Sequence, residues 1–554
     1  MKKYLPILLA LTTCLTGCNS LQNQLSFVYF DKRNEFDTSL FYGNVQTMKG
    51  ADPSLIWVDR NQDPVEGGYY YAYITANSTI NAWRTKDMTN WQNLGAVFRP
   101  DLDDFWGDNN FWAPAVIYDQ EEKLYYMYYS GQWKKYDSQF KSHYISVAKS
   151  SSPAGPFTEV VSNNEPCINF NKMPKDHPLY EFHSGDQFEN GYFASIDAEP
   201  FIDPVDNQLY LLLTHDIGAG YTSSQTYIMK MNSYVDPDYS SIKWISQTGV
   251  TSIGGSETID EGKVNEGPYM FYNNGYYYLT YSVNTYNEPS YQVRQAISTS
   301  PTGPFRKIPV DKGGVIITTD GLGTYTNSSG HHSFIKVGDE LFISYHTFLN
   351  DSDISEARKI RFDRVSFVVN EDGLPLIYAN GPTVTLQPLP SAVSGYKNIA
   401  PSAHIEASNV HENSDIYWLN DGTLKIHDNS IVDECEFNNG KSVISLTFDD
   451  YQTIKAIMVY NSNDFYKTFK EIDNIRLYLK KDGIETVSDT GVIPFNYHEY
   501  SLIDQDYKTV FAGASSTIEF NDLEVNKIEI TVSKSYGESI LGISEIQVLG
   551  KENA

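Results

Sequence analysis

Three carboxylates, Asp52, Asp197 and Glu266, stand at the start of short apolar segments that lie far apart in the 554-residue sequence. Carboxylates that share a partly apolar pocket cannot all keep ordinary pKa values, because at least one of them is pushed towards its neutral form. One group can then hold a proton near neutrality while another stays ionised, which is the division that general acid and base catalysis needs. This chemistry depends on a fold that brings the three groups together.

Each carboxylate belongs to a strand pair that returns five times along the sequence. The second strands are short and rich in tyrosine and leucine, a composition typical of β-strands, and they lie at 69–73, 124–128, 209–213, 276–280 and 341–345. The first strand of each pair is preceded by a polar or small residue: Asp52, Ala113, Asp197, Glu266 and His331. We expect these five residues to occupy equivalent places in the repeat.

The repeat predicts an all-β fold with a five-bladed β-propeller over residues 45–390. Antiparallel sheets that recur along a chain close radially, because closure leaves only short, protected edges. The segments 152–157 and 300–305 share nearly the same phrase, which extends the repeat beyond the strands. A pair of long β-sandwiches is the alternative. In a propeller the innermost strands surround the axis, so the carboxylates would meet in one central pocket.

A pocket of this kind suits the cleavage of a glycosidic bond. The reaction needs a protonated carboxyl at the leaving oxygen and an ionised carboxylate on the opposite side of the sugar. Phe111 and Trp112 offer aromatic faces for a sugar ring, and packing in the core is the alternative for each. A turn-capping role is the alternative for any single carboxylate, but the repeated placement of three of them argues for a shared site.

Five segments resemble, in the same order, the blade motifs of glycoside hydrolase family 43: 51–54, 111–114, 195–198, 265–268 and 330–333. The resemblance implies an inverting glycosidase of arabinose or xylose linkages. It implies that Asp52 is the general base that activates water, that Glu266 is the general acid, and that Asp197 tunes the pKa of the acid and orients it. Inversion implies acid and base carboxyls roughly 6.5 to 9.5 Å apart.

The resemblance also assigns two residues around the carboxylates. Arg358 resembles the family arginine that contacts sugar hydroxyls, and a surface arginine is the alternative. His331 matches a position near an axial calcium ion, and a core histidine is the alternative. Hard oxygen ligands would have to dominate such a calcium site. No cofactor is expected for the reaction itself, so the calcium would be structural.

The implied substrate is an arabinose- or xylose-containing oligosaccharide or polysaccharide of the plant cell wall. Release of terminal α-L-arabinofuranose is the first expectation. A β-xylosidase and an endo-arabinanase of the same family are alternatives, because the motifs do not separate them. The alternative from another class is a non-catalytic glycan-binding lipoprotein, and the three filled carboxylate positions argue against it.

The first residues have the character of an export signal. Lys2 and Lys3 precede an apolar run that is shorter than the roughly 20 residues of a membrane-spanning helix. The run ends in the phrase 15–18, which resembles the bacterial lipoprotein signal, so residues 1–17 would be removed and Cys18 would be lipidated. This predicts an extracytoplasmic protein of the cell envelope, anchored to the membrane by its acyl chains, followed by a linker over 18–44. An ordinary secretory signal is the alternative.

The charge balance disfavours one class of partner. Asp and Glu outnumber Lys and Arg by 70 to 41, which gives a formal net charge of -29. Such a field repels a phosphate backbone, so no nucleic acid partner is expected. Cys167 and Cys435 fall in different predicted domains, so no disulfide framework is expected either.

The aromatic strand pattern stops near Pro390, which predicts a linker over 391–397 and a second domain over 398–554. Short apolar runs in this region predict a β-sandwich. The phrases 419–422, 457–462 and 542–546 resemble the discoidin or galactose-binding-like sandwiches, which implies a carbohydrate-binding domain with Trp418 as a contact. The alternatives are a core position for Trp418 and a domain that only packs against the propeller.

Overall fold

The computed structural model describes residues 28–29, 37–44, 48–76, 78–108, 110–135, 143–160, 164–182, 194–215, 224–319, 327–348, 358–383, 385–427, 431–493, 513–533, 535, 537 and 539–551. Within these ranges the chain is nearly all β, with 33 strands and two short α-helices. None of the described helices is long and apolar enough to cross a bilayer. The predicted signal 1–17 and Cys18 lie outside the described residues.

The strands follow one another in groups that correspond to the sheets. The N-terminal strands are β1 (Val28–Tyr29) and β2 (Phe41–Gly43). Blade I contains β3 (Ala51–Val58), β4 (Tyr69–Ala76), β5 (Thr79–Thr85) and β6 (Gln92–Phe98), and blade II contains β7 (Trp112–Asp119), β8 (Leu124–Gln132), β9 (His143–Ser150) and β10 (Thr158–Glu159). A 3-10 helix (Phe170–Lys172) and α1 (Pro178–Phe182) lie between blades II and III.

The remaining blades have the same order of strands. Blade III contains β11 (Ser195–Ile202), β12 (Leu209–His215), β13 (Gln225–Ser233), β14 (Asp236–Pro237) and β15 (Lys243–Gln247). Blade IV contains β16 (Asn265–Asn273), β17 (Tyr276–Val283), β18 (Gln292–Ser298), β19 (Arg306–Lys307) and β20 (Val315–Ile317). Blade V contains β21 (Asn327–Val337), β22 (Glu340–Phe348), β23 (Lys359–Val369) and β24 (Pro375–Ala379). Two further 3-10 helices, Tyr239–Ser241 and Val310–Lys312, lie inside blades III and IV.

The five sheets close into a ring. Each is antiparallel and separate from the others. The first strands of successive blades contact one another, and β21 of blade V contacts β3 of blade I. The prediction of a five-bladed β-propeller is therefore confirmed.

The tyrosine-rich strands are buried on both faces, because each blade lies between two others. In β4, Tyr71 and Tyr73 pack into a core shared with blade II, whereas Tyr70 and Ile74 pack into a core shared with blade V. The hydroxyl of Tyr73 donates to the carbonyl of Pro153 in blade II at 2.7 Å. The long aromatic side chains therefore fill the space between blades while their polar ends find partners.

The predicted linker 18–44 differs from the structure at its end. β2 pairs with β25 (Leu386–Pro388), so the start and the end of the propeller region are joined by backbone hydrogen bonds. Asn44 then donates its side-chain amide to the carbonyl of Phe362 at 2.5 Å. Phe41 and Tyr42 are buried, which explains why this segment is fixed to blade V.

The C-terminal domain is built around one nine-stranded sheet. It begins after α2 (Ser391–Ser394) with β26 (Lys397–Asn398), so part of the predicted linker 391–397 is helical. The further elements are a 3-10 helix (Ala400–Ser402), β27 (His404–Ala407), a 3-10 helix (Ile416–Leu419), β28 (Cys435–Asn438), β29 (Ser442–Asn461), β30 (Asn474–Lys481), β31 (Ile484–Asp489), β32 (Ser515–Val532) and β33 (Ile540–Gly550). Register shifts interrupt the pairing of the two longest strands, β29 and β32. Shifts of this kind bend a strand and increase its local twist.

An apolar interface joins this domain to the propeller. Phe41 and Leu386 of the closing strands pack against Leu424 and Met458 of the C-terminal domain. The side chain of Gln387 donates to the carbonyl of Gly513 at 3.0 Å across the same interface. The second domain therefore packs against the propeller.

Candidate active site

Each blade carries a bulge at the same place in its first strand. The pairing with the second strand slips there, and one residue adopts a left-handed backbone conformation. The φ angles are 52° for Asp52, 47° for Ala113, 55° for Asp197, 56° for Gly267 and 45° for His331. This conformation is unfavourable for residues other than glycine, and bulges of this kind re-aim side chains next to active sites. Backbone strain is therefore concentrated in the bulged residues at the propeller axis.

Glu266 does not occupy the equivalent place that we expected from the repeat. The bulged residue of blade IV is Gly267, so Glu266 lies one position earlier in its strand. Glycine suits this place, because it takes the positive φ angle without strain and because an added Cβ would lie only 3.2 Å from the ring of His331. Because the expectation rested on apolar spacing alone, it missed this offset of one residue.

Hydrogen bonds between blades hold the bulged residues. A polar side chain from the second strand of one blade accepts the backbone N–H in the next blade in four cases: Thr75 with Ala113 (2.9 Å), Ser130 with Asp197 (3.1 Å), Ser282 with His331 (2.8 Å) and His346 with Asp52 (3.2 Å). In the fifth case the N–H of Gly267 donates to Oδ2 of Asp197 at 2.9 Å. At this bulge the carboxylate of Asp197 therefore takes the place of the second-strand side chain that accepts the N–H in the other blades. The same ring of hydrogen bonds fixes the position of this carboxylate beside Glu266.

Asp52 is surrounded by groups that favour its ionised form. Thr75 donates to Oδ2 at 2.7 Å, while Nη1 of Arg358 lies 3.4 Å and Nδ1 of His331 lies 3.3 Å from Oδ1. Burial alone would raise the pKa of Asp52, but His331, Arg358 and His346 outweigh it and hold the pKa well below its ordinary value. Asp52 is therefore an ionised carboxylate in a buried place.

Glu266 has the opposite environment. Burial raises its pKa, the neighbouring carboxylate of Asp197 raises it further, and the pKa is about 7. The hydroxyl of Tyr291 donates to Oε1 of Glu266 at 2.8 Å and opposes this rise. Tyr291 is fully buried, and its ring fits only because residue 330 is glycine, where a Cβ would lie 2.2 Å from the ring. Sequence analysis missed Tyr291, since nothing in its spacing along the chain indicates contact with Glu266.

A second tyrosine of the same loop lies beside Arg358. The ring of Tyr286 is 4.7 Å from the guanidinium carbon of Arg358, and 45% of this side chain is exposed. The loop 284–291 follows β17 at the end where Glu266 pairs with Ser282, so it reaches the groups around both catalytic candidates. Sequence analysis missed Tyr286 as well. The sequence feature that could have indicated Tyr286 is an aromatic residue in the loop that follows β17, at the end of the blade where Glu266 lies.

The two aromatic residues that we expected to contact sugar behave differently. Phe111 is only 1% exposed and packs in a core with Phe98 and Tyr129, so its ring offers no face to a substrate. This part of the expectation is wrong, because the ring of Phe111 fills the core between blades I and II. Trp112 is half-buried, precedes the bulged Ala113, and stacks on His143 with ring centroids 4.2 Å apart.

The axis below the bulges encloses a cavity of about 20 Å³, lined among others by Asp197, Glu199, His331 and His332. This volume holds about one water molecule. Burial raises the pKa of Glu199 well above its ordinary value, so this carboxyl favours its neutral form. Among the described residues no group of three or more His, Cys, Asp or Glu side chains is placed to hold a metal. Calcium near His331 stays a prediction.

The site therefore combines an ionised carboxylate, a carboxyl that holds its proton up to about pH 7, and a third carboxylate that fixes the backbone beside the second. Arg358 lies beside Asp52, and the partly exposed Tyr286 lies beside Arg358. Such a set can remove a proton from water on one side of a substrate and deliver a proton on the other side.

Comparison with known proteins agrees with this chemistry. The family model described as glycosyl hydrolases family 43 matches residues 45–375. The curated Beta-D-galactofuranosidase xynD of Aspergillus niger is 38% identical over 119 residues, which are 21% of this chain and 32% of the relative. This match thus spans about a third of the relative's length.

Two solved structures illustrate the similarity. A thermostable family-43 glycoside hydrolase is 26% identical, with a TM-score of 0.47 and coverage of 63% of this chain and 99% of the other. An alpha-L-arabinofuranosidase from Lactobacillus brevis is 19% identical, with a TM-score of 0.43 and coverage of 60% and 95%. Because the family model matches more than half of the sequence, the chain belongs to glycosyl hydrolases family 43 and is a glycoside hydrolase.

Proposed function

We propose that the protein is an inverting glycosidase that releases terminal α-L-arabinofuranose from arabinose- or xylose-containing polysaccharides of the plant cell wall. The observation that carries the proposal is the unequal protonation of two carboxyls in one site. The pKa of Asp52 lies well below its ordinary value, whereas that of Glu266 is about 7. At a pH between these two pKa values Glu266 is protonated and Asp52 is ionised, so an acid and a base are available together.

In the proposed reaction, ionised Asp52 takes a proton from a water molecule whose oxygen attacks the anomeric carbon. Glu266 gives its proton to the glycosidic oxygen as the bond between that oxygen and the anomeric carbon breaks. Water therefore adds across the bond in one step, and the configuration at the anomeric carbon is inverted. The proton that Asp52 has gained and the proton that Glu266 has lost are exchanged with solvent before the next turnover.

The proposed role of Asp197 is exerted through Glu266. Its Oδ2 accepts the N–H of Gly267, and its charge raises the pKa of Glu266. It thereby keeps the acid protonated and fixes the peptide that follows it. Arg358 lies 3.4 Å from Asp52 and offers donors to sugar hydroxyls at the same time.

A furanose is the sugar that the comparisons favour. The curated relative is named a Beta-D-galactofuranosidase. β-D-Galactofuranose and α-L-arabinofuranose are both five-membered rings with the same arrangement of ring substituents, so one pocket shape suits both. We further propose that the chain acts outside the cytoplasm with a lipid anchor at Cys18, which rests on the phrase 15–18 alone.

The test compares rates of hydrolysis of three 4-nitrophenyl glycosides: α-L-arabinofuranoside, β-D-galactofuranoside and β-D-xylopyranoside. We expect the arabinofuranoside to be cleaved fastest and the first sugar product seen by NMR to have the inverted configuration. The Asp52→Asn variant should lose activity by about 10³-fold or more, because removal of the general base leaves water unactivated.

Three outcomes would overturn parts of the proposal. Faster cleavage of the xylopyranoside would make the protein a β-xylosidase, and activity on arabinan with none on the three glycosides would make it an endo-arabinanase. Wild-type rates in the Asp52→Asn variant would remove Asp52 from the role of base.

A further inference from the structure

A buried ion pair lies in blade IV. The ammonium group of Lys307 contacts the carboxylate of Glu261, and only 3% and 0% of these side chains are exposed. Neither side chain can therefore contact a sugar directly. A buried ion pair adds little net stability, because the loss of hydration offsets the attraction between the charges. Stability alone is thus a weak reason for this pair.

The ammonium group of Lys307 has three donors, and each of them has an acceptor. Besides Glu261, the group donates to Oδ1 of Asn265 at 2.8 Å and to the carbonyl of Gln247 at 2.7 Å. Lys307 ends β19 of blade IV, Gln247 ends β15 of blade III, and Asn265 begins the inner strand β16. Lys307 therefore joins the outer strands of two blades to the strand that carries Glu266.

Asn265, the residue directly before Glu266, is held at its backbone and at its side chain. Its N–H donates to Oγ of Ser224 in blade III, and the hydroxyl of Ser224 donates to the carbonyl of Asn265 at 2.9 Å. The side-chain Nδ2 donates to the carbonyl of Val264 at 3.0 Å, so Oδ1 points to Lys307. Asn265 is thus fixed in direction as well as in position.

The same ion pair reaches the strand opposite Glu266. Glu266 pairs with Ser282 of β17, and the hydroxyl of the preceding Tyr281 donates to Oε1 of Glu261 at 2.7 Å. On the other side of the acid, Asp197 fixes the N–H of the residue that follows Glu266. The backbone of Glu266 is therefore held from both directions, by Asp197 after it and by the ion pair before it.

We propose that Lys307, paired with Glu261, is a positioning residue for the general acid. Through Asn265 it holds Glu266 where the proton of this carboxyl reaches the leaving oxygen. A displacement of about 1 Å can cost about 10²-fold in rate, so an acid needs a support of this kind. The inference rests on the proposed function, in which Glu266 is the general acid.

The test compares two rates in the full chain. We would measure kcat on phenyl and on 2,4-dinitrophenyl α-L-arabinofuranoside, or on the same pair of glycosides of whichever sugar is cleaved fastest. Phenolate needs a proton to leave, whereas dinitrophenolate leaves without one, so a misplaced acid slows only the first reaction. Loss of folded protein slows both reactions equally and leaves their ratio unchanged. Lys307→Met and Asn265→Ala should each lower the ratio of the phenyl rate to the dinitrophenyl rate by about tenfold or more.

Further variants control this test. Asn265→Ala keeps the ion pair, so it tests the proposal even if Lys307→Met does not fold. The double variant should lower the ratio no further than either single variant, because both substitutions remove the same contact. Gln295→Met is the matched control, since Gln295 is also a buried polar residue of blade IV but binds the carbonyls of Gly313 at 2.8 Å and Ile377 at 2.9 Å. Its ratio should equal that of the wild type.

The outcomes separate this inference from the proposed function. Equal losses on both substrates would make the ion pair purely structural and overturn the inference, and so would a ratio that falls as far in Gln295→Met. Additive losses in the double variant would remove Asn265 as the link between Lys307 and the acid. An unchanged ratio in Glu266→Gln would overturn the role of Glu266 in the proposed function itself. A ratio that falls in Glu266→Gln but stays at the wild-type value in Lys307→Met and Asn265→Ala would overturn this inference alone.

Discussion

The propeller site differs in its charge environment from a cavity of the C-terminal domain, although both contain several carboxylates. This C-terminal cavity is lined by Trp418, Lys425, Asp433, Glu436 and Lys467, among others. At the propeller, Asp52 is kept ionised and Glu266 has a pKa of about 7. In the C-terminal cavity, Glu436 is neutralised by Lys467 at 2.6 Å. Proton transfer needs carboxyls with unequal proton affinities, whereas binding needs only a polar wall with fixed charges. The unequal proton affinities of Asp52 and Glu266 therefore match a catalytic site in the propeller.

The two regions also differ in the backbone that carries the functional side chains. The propeller groups stand on left-handed bulges of inner strands, and hydrogen bonds between blades hold these bulges. The cavity groups stand on loops and on one turn of 3-10 helix. Acid and base must be placed to within a fraction of an ångström of the reacting atoms, so a strained and rigid support suits them.

The largest effect that tests this comparison is expected from two matched substitutions of buried glutamates. Glu266→Gln should lower kcat on an oligosaccharide by about 10² to 10⁴-fold, because the leaving oxygen then receives no proton. The loss should be much smaller on a 2,4-dinitrophenyl glycoside, whose leaving group needs no proton. The measurement is kcat for both substrates.

Glu545→Gln is the control for this prediction. Burial raises the pKa of Glu545 well above its ordinary value, as burial also raises that of Glu266, but Glu545 lies in the C-terminal domain and accepts from the N–H of Gly422. Its substitution should leave both rates unchanged. Equal losses in the two variants would show that burial of a carboxyl, rather than its place in the propeller, is what the activity requires.

Much of the propeller could be predicted from the sequence, because each blade is a local unit whose strands lie next to each other in the chain. The strand pairs around Asp52 and Asp197 were visible as repeats, and so were the carboxylates at their starts. The offset of Glu266 was not visible, because it depends on which residue takes the positive φ angle. The glycine at 267 was the signal for it.

Contacts between distant segments were harder to predict. Tyr291 contacts Glu266 within blade IV, whereas Tyr286 of the same loop contacts Arg358 near blade V, and sequence spacing does not tell which residues a loop reaches. Phe111 was misassigned because it neighbours Trp112 in the sequence, although its ring is buried in the core between blades I and II. The apolar interface between the domains was predicted only as one of two alternatives.

The next effect concerns the pH dependence of the propeller site. Catalysis needs protonated Glu266, so kcat/KM should fall as pH rises through about 7. The hydroxyl of Tyr291 stabilises the ionised form of Glu266, so Tyr291→Phe should raise the pKa of this group. The alkaline limb of the profile should move to higher pH by about one unit. Tyr281→Phe is the control, because Tyr281 donates to Glu261 instead, at 2.7 Å, and the limb should stay in place. A limb that moves to lower pH in Tyr291→Phe would contradict the assignment of Glu266 as the acid.

The smallest effect concerns the aromatic faces of the two regions. Tyr286 is held over the charged group of Arg358, whereas Trp418 is held by the packing of its own helix. We expect Tyr286→Ala to raise KM by about fivefold, which corresponds to about 1 kcal/mol for a partly exposed cation–π contact and its aromatic face. Tyr286→Phe keeps the ring and should restore KM, and neither variant should move the alkaline limb, because Tyr286 donates no hydrogen bond to Glu266 in the described structure. If Tyr286→Ala lowered kcat and left KM unchanged, the ring would act by positioning Arg358 beside Asp52, and the aromatic face of the propeller site would belong to the catalytic apparatus instead of to sugar binding.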